Sequence, residues 1–95
     1  MTERSRFRGT VRYFRPGRAA RLAVVDIPQE VTVILGGLKQ LRVSGSLNGV
    51  EFHSNAMPAG GGVLALSVTR KLLAAAGLTV GQEADVEIER QEVAG

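Results

Sequence analysis

Residues 22–36 read Leu22-Ala23-Val24-Val25-Asp26-Ile27-Pro28-Gln29-Glu30-Val31-Thr32-Val33-Ile34-Leu35-Gly36, and residues 63–77 read Val63-Leu64-Ala65-Leu66-Ser67-Val68-Thr69-Arg70-Lys71-Leu72-Leu73-Ala74-Ala75-Ala76-Gly77. Set against each other at a spacing of 41 positions, both run from an apolar strand through a polar break into a short helix and a glycine. Gly36 with Gly77 is the one identity in this window, so the likeness lies in the pattern. Working outward, a strand precedes each copy and another follows it. The chain thus reads β-β-α-β twice. Six strands of this length can close into a barrel that leaves no sheet edge exposed, with the two short helices over its ends. Helices and strands do not alternate one for one, which argues against a doubly wound parallel sheet. The expected fold class is mainly β: a small pseudo-symmetric six-stranded barrel made of two ββαβ repeats, one domain over 1–95, with halves at 6–47 and 50–90 and a frayed tail at 91–95.

The individual elements follow from periodicity and turn chemistry. Between Arg6 and Phe14, the side chains of Phe7, Gly9, Val11 and Tyr13 fall on one face and those of Arg6, Arg8, Thr10 and Arg12 on the other, the period of a half-buried strand. Arg15-Pro16-Gly17-Arg18 reads as a turn and Ala20 to Ile27 as the second strand. Pro28 ends that strand because it has no N–H to donate, and its fixed φ suits a helix start. Val31, Ile34 and Leu35 make a short apolar stripe expected in the core, and Gly36-Gly37 stops the helix. Leu41 to Leu47 points Leu41, Val43, Gly45 and Leu47 inward and Arg42, Ser44 and Ser46 outward. Asn48-Gly49 is the preferred pair for a two-residue type I′ hairpin. Val50 to Ser54 then returns, Val50 and Phe52 inward, Glu51 and His53 outward. Met57 to Gly62 reads as a flexible connector, Val63 to Val68 as a strand, and Thr69 to Ala76 as a helix capped by Thr69, with Leu72, Leu73, Ala75 and Ala76 as its apolar side and Leu72, Ala75 and Ala76 expected in the core. Gly77 ends it, and Glu83 to Arg90 is the last strand, with Ala84, Val86 and Ile88 inward and Asp85, Glu87 and Glu89 outward.

Composition excludes several classes of function. A chain of 95 residues has a thin core with no deep cavity to spare for a large cofactor, and none is expected. With no cysteine there is no disulfide framework and no thiolate metal site, which fits a reducing cytoplasm. No apolar segment follows the charged start Met1 to Arg6, and runs such as Leu22 to Val25 are too short to span a bilayer. The expectation is a cytoplasmic protein of bacterial type with no membrane contact. The formal charge is +3, unevenly spread. Residues 1–21 hold seven arginines and one acid; residues 82–95 hold Glu83, Asp85, Glu87, Glu89 and Glu92 against Arg90.

A string of residues carries a family resemblance over roughly Phe7 to Glu89: Phe7; Ile27-Pro28; Leu35-Gly36; Val43, Gly45, Asn48 and Gly49; Phe52; Met57-Pro58; Gly60 and Gly62; Leu66 and Val68; Gly77, Gly81, Val86 and Ile88. The spacing from Val43 to Gly62 is its most specific part. The string resembles the bacterial family called domain of unknown function nineteen-oh-five. The resemblance implies a double-split β-barrel, the fold class also used by the AbrB and MazE type of DNA-binding regulators. In those regulators two chains usually supply the two halves, so this chain is expected as a monomer or a homodimer. Gln82 stands where an aspartate commonly follows the glycine, which puts any role of that acid in doubt. The family implies no established activity.

Two sets of residues invite functional readings. Arg12, Tyr13, Phe14, Arg15, Arg18 and Arg21 combine cations with aromatic rings, the means by which phosphates are neutralised and bases stacked. Against that, Arg4, Arg6 and Arg8 alternate on the first strand while Asp85, Glu87 and Glu89 alternate on the last. If the two strands are neighbours, opposite charges pair across the ladder and cancel much of the positive field. Glu51, His53 and Asn55 form a polar patch around the only histidine. Alternation puts Glu51 and His53 on one face, about 7 Å apart, and Ser54 on the other, a geometry that does not deliver a nucleophile to a base. One histidine without cysteine does not fill a zinc shell. Gly60-Gly61-Gly62 lacks the following helix and Lys-Ser/Thr pair of a phosphate loop and reads as a crossover between halves. The leading expectation is a non-enzymatic binding or interaction module for an unknown protein or small molecule. The alternative is a nucleic-acid binder acting through the arginines.

Overall fold

A computed structural model describes residues 4–14 and 22–91. Among these, the elements follow in the order read from the sequence: β1 (Ser5–Tyr13), β2 (Ala23–Asp26), α1 (Gln29–Leu35), β3 (Leu41–Leu47), β4 (Val50–Pro58), β5 (Leu64–Val68), α2 (Arg70–Ala76) and β6 (Glu83–Arg90). The strands form a closed barrel in the order β1-β2-β5-β4-β3-β6, with every neighbouring pair antiparallel. The turn expected at 15–18 lies outside the described residues, as do residues 92–95 of the expected tail.

The pairing scheme is unchanged when β1, β2 and β3 are exchanged with β4, β5 and β6, and the register agrees residue by residue. Val25 faces Leu66 in β2–β5 and Ser46 faces Glu87 in β3–β6. Both pairs are 41 positions apart, the spacing of the sequence repeat, so both lie on a pseudo-twofold axis. The helices obey the same spacing. Strands β1 and β4 correspond at 45 instead, Val11 facing Val25 as Ala56 faces Leu66. The difference sits in the connections, residues 14–22 between β1 and β2 and residues 59–63 between β4 and β5.

Both helices stop in the same way. The Gly36 and Gly37 N–H groups donate to the carbonyls of Val33 and Thr32 (3.1 and 3.0 Å); those of Gly77 and Leu78 donate to Ala74 and Leu73 (3.2 and 2.9 Å). This is the Schellman arrangement, which needs positive φ at its glycine, here 125° at Gly36 and 70° at Gly77. The rotation of the helices differs from the sequence expectation. In α1 the buried residues are Val31, Thr32 and Leu35, while Ile34, expected in the core, is 67 % exposed. At 100° per residue, Leu35 and Thr32 lie about 40° and 100° to one side of Val31, and Ile34 about 60° to the other. The corresponding rotation buries Leu73 in α2 and leaves Ala75, also expected to be apolar core, on the outside.

Thr32 accounts for the choice in α1. Its hydroxyl accepts from the Leu64 N–H (3.1 Å) and reaches the Ile27 carbonyl (3.4 Å), tying the helix to the end of β2 and the start of β5. Thr32→Val keeps the shape and leaves a buried donor unsatisfied, so a loss of about 1–3 kcal/mol is expected in urea-unfolding measurements.

Met57 and Pro58, expected in a connector, extend β4 by pairing with Ala65 and Leu64. Proline is tolerated because it occupies the strand's last position. The core combines the inward residues of all six strands with Val31 and Leu35 of α1 and Leu73 of α2. The Asn48-Gly49 hairpin is present, with φ of 48° and 84° and Leu47 opposite Val50.

Candidate functional site

The basic strand β1 lies against the acidic strand β6, with Arg6 opposite Glu87 and Arg8 opposite Asp85. Their outward side chains pair: Arg6 Nη2 to Glu87 Oε2 at 3.5 Å and Arg8 Nε to Asp85 Oδ1 at 3.1 Å. Arg4 reaches Glu89 at 3.6 Å and makes a two-pronged contact to Glu51, Nη1 and Nη2 donating at 3.0 and 2.9 Å. Those hydrogen bonds hold the Glu51 carboxyl below its ordinary pKa. Arg12 grips Asp26 with Nε and Nη2, both at 2.7 Å. All four described arginines of this segment are therefore matched by acids of the same chain. Of the other proposed contact residues, Tyr13 is 39 % exposed at the end of β1 and Phe14 is half-buried. Arg15, Arg18 and Arg21 lie outside the described residues.

The polar patch is only partly assembled. Glu51 and His53 line a cleft of ≈ 270 Å³ between β4 and α2, whereas Asn55 sits beyond it, opposite Arg42. Val50, Phe52, Leu72 and Ala75 give the cleft an apolar side, and Ser54, Ser67, Thr69 and Lys71 complete its lining. Ser54 and His53 both border the cleft, while their side chains keep the alternation of the strand: Ser54 lies opposite the inward Val43 and His53 opposite Ser44. Its hydroxyl is committed to the Ser67 carbonyl at 2.5 Å. The Thr69 hydroxyl caps α2 by accepting from the Leu72 N–H at 3.1 Å. The His53 Nδ1 lies 3.4 Å from Gln91 Oε1. Most of the polar groups around the cleft thus already serve the fold. Lys71 has no ion pair and no hydrogen bond from its side chain among the described residues. Larger depressions of ≈ 440 and ≈ 500 Å³ lie on the β1–β6 side, but their walls are the paired side chains Arg6, Arg8, Asp85 and Glu87 themselves.

Among the described residues every buried side-chain nitrogen and oxygen has a hydrogen-bond partner. No helix there is long and apolar enough to cross a membrane. Gln82, at the position where the resemblance expected an acid, closes a turn: its Oε1 accepts from the Thr79 N–H at 2.9 Å.

The model of a family described as a domain of unknown function (DUF1905) matches residues 7–88, a span that takes in both halves of the barrel. The chain belongs to the DUF1905 family. No curated protein matches the chain. Membership in DUF1905 thus agrees with the barrel and assigns no chemistry to it.

Sequence reading located Glu51 and His53 but missed Leu72, Ala75 and Lys71 as their partners. Only the packing of α2 against β4 brings the two segments together. A spacing pattern could not have found the site, since its two sides are some twenty positions apart in the chain and meet through the barrel's pairing order.

Proposed function

We propose that this DUF1905 protein is a binding module without catalytic activity, working in a bacterial cytoplasm. It takes the apolar part of a protein or small-molecule partner into the cleft between β4 and α2. The observation that carries the reading is the lining of that cleft: an apolar side of Val50, Phe52, Leu72 and Ala75 beside an unpaired Lys71, with His53 at its edge. A few polar groups around an apolar surface is the usual make-up of a ligand site. Lys71 and His53 suit a ligand whose apolar body ends in an anionic or hydrogen-bond-accepting group. Catalysis is disfavoured because the hydroxyls of Ser54 and Thr69 and the carboxylate of Glu51 are engaged elsewhere, so no nucleophile faces a base.

Fragment screening by amide chemical shifts tests this. Aromatic carboxylates are expected to shift residues 50–54 and 69–75, and Ala75→Trp, which fills the cleft from its exposed rim, is expected to abolish those shifts while the remaining spectrum stays in place. Fragments that ignore the cleft, or that bind Ala75→Trp equally well, would contradict the proposal.

The alternative, an AbrB-like nucleic-acid binder, draws support from Tyr13 at the end of the arginine-rich segment. It is weakened by the acids that engage Arg4, Arg6, Arg8 and Arg12. A labelled duplex titrated at about 50 mM salt is expected to bind weakly or not at all; tight binding that falls steeply as salt rises would favour phosphate recognition.

A further inference from the structure

Val33, Ile34 and Leu38 are the most exposed large apolar side chains among the described residues, at 69, 67 and 57 %. They sit together on α1 and the segment just after it. The pseudo-symmetry supplies an internal control for them. At the spacing of 41 their counterparts on α2 and its following segment are Ala74, Ala75 and Thr79. The two helices share their length, their rotation and their C-terminal hydrogen bonds. The α2 end therefore does without large apolar groups at the three positions where the α1 end exposes them; its own exposed valine, Val80 at 37 %, is the counterpart of Lys39. The fold does not require them.

The same end carries two cations without an acidic partner among the described residues. Arg90 Nη1 lies 3.2 Å, and Lys39 Cε 3.9 Å, from the point a Cβ on Gly36 would occupy, so both flank the C-terminus of α1. Neither has an acidic partner among the described residues, in contrast with Arg4, Arg6, Arg8 and Arg12. Exposed aliphatic groups bordered by free cations are complementary to a segment that carries aliphatic and acidic residues side by side.

We infer that the α1 end of the barrel, through Val33, Ile34, Leu38, Lys39 and Arg90, docks an acidic amphipathic segment of a partner protein. This surface is separate from the β4–α2 cleft and stands or falls independently of it. A bilayer is the poorer match, because surface-bound helices bury a long apolar stripe and α1 has seven residues. A second copy of the chain is also a poorer match, since Asp85, Glu87 and Glu89 are already engaged by Arg8, Arg6 and Arg4.

The test uses two labelled peptides that share one helical stripe of leucines, one with glutamate and one with lysine at the remaining positions. The full chain is expected to bind the glutamate peptide, with amide shifts confined to residues 30–39 and the end of β6. The variant Val33→Ala, Ile34→Ala, Leu38→Thr installs the α2 residues and is expected to lose binding while keeping its folded spectrum. The pair Lys39→Gln and Arg90→Gln is expected to weaken binding about tenfold or more. Four results would each overturn the inference: no binding of the glutamate peptide, equal binding of the lysine peptide, a dimer that the triple variant dissociates, or co-sedimentation with phosphatidylserine vesicles that the triple variant loses.

Discussion

Gly45→Ala is expected to destabilise the barrel by about 3 kcal/mol or more, at the upper end of what forced overpacking does. Gly45 is flanked on both sides, by Phe52 of β4 and Ile88 of β6. A Cβ there would overlap the Glu87 carbonyl oxygen and stand 2.9 Å from the Ile88 Cα. Both are backbone atoms, which cannot rotate away as a side chain can. Relief would require β3 and β6 to separate next to the pseudo-twofold axis at Ser46 and Glu87. A domain of this size has roughly 5–10 kcal/mol of stability in all, so urea unfolding should show a large fall in midpoint. Gly9→Ala is the milder comparison: its Cβ meets a side-chain methyl of Val25 at 2.6 Å, and the nearest backbone atom, the Asp26 carbonyl oxygen, stands off at 3.3 Å. Equal effects of the two substitutions, or a Gly45→Ala protein as stable as the parent, would contradict the close strand approach.

Leu66→Ala is expected to remove about 2–5 kcal/mol, the range for truncating a buried leucine. Leu66 is fully buried and faces Val25 across β2–β5, the other place where the axis crosses the barrel. Its neighbour on β4 is Ala56, too small to fill the space left behind. The outcome should lie toward the high end for that reason. The same truncation on the surface, Ile34→Ala, should change stability by no more than about 0.5 kcal/mol. If Ile34→Ala proved as damaging as Leu66→Ala, the rotation assigned to α1 would be wrong.

Much of this architecture could be read from residue patterns. The paired segments at 22–36 and 63–77 gave the spacing that the strand registers obey, and Asn48-Gly49 gave the one hairpin whose turn is fixed by two residues. Alternation of arginine on one strand and acid on another predicted the contact of Arg6 with Glu87. The ion pairs Arg4–Glu51 and Arg12–Asp26 were not legible: the first joins the residue just before β1 to β4, which is not a neighbour of β1 in the barrel, and the second depends on the register of β1 against β2. The correspondence of β1 with β4 was read as an element order, but its residue register was hidden by the shift in spacing from 41 to 45. Ile34 and Ala75 were misplaced because hydrophobicity alone cannot choose the rotation of a two-turn helix; in α1 a buried threonine hydroxyl makes the choice. The candidate cleft escaped for a related reason: α2 is nearly all apolar or small, and its sequence does not say which side meets β4.

The pairing of β1 with β6 both closes the barrel and engages Arg6 and Arg8, two of the cations on which phosphate recognition would draw. Cross-strand NOEs in isotope-labelled protein test it directly. Contacts between Arg6 and Glu87 and between Arg8 and Asp85, together with contacts between Val25 and Leu66, are the predicted result. A spectrum in which β1 shows contacts to β2 but none to β6 would contradict the closed barrel and leave the arginines free for a partner.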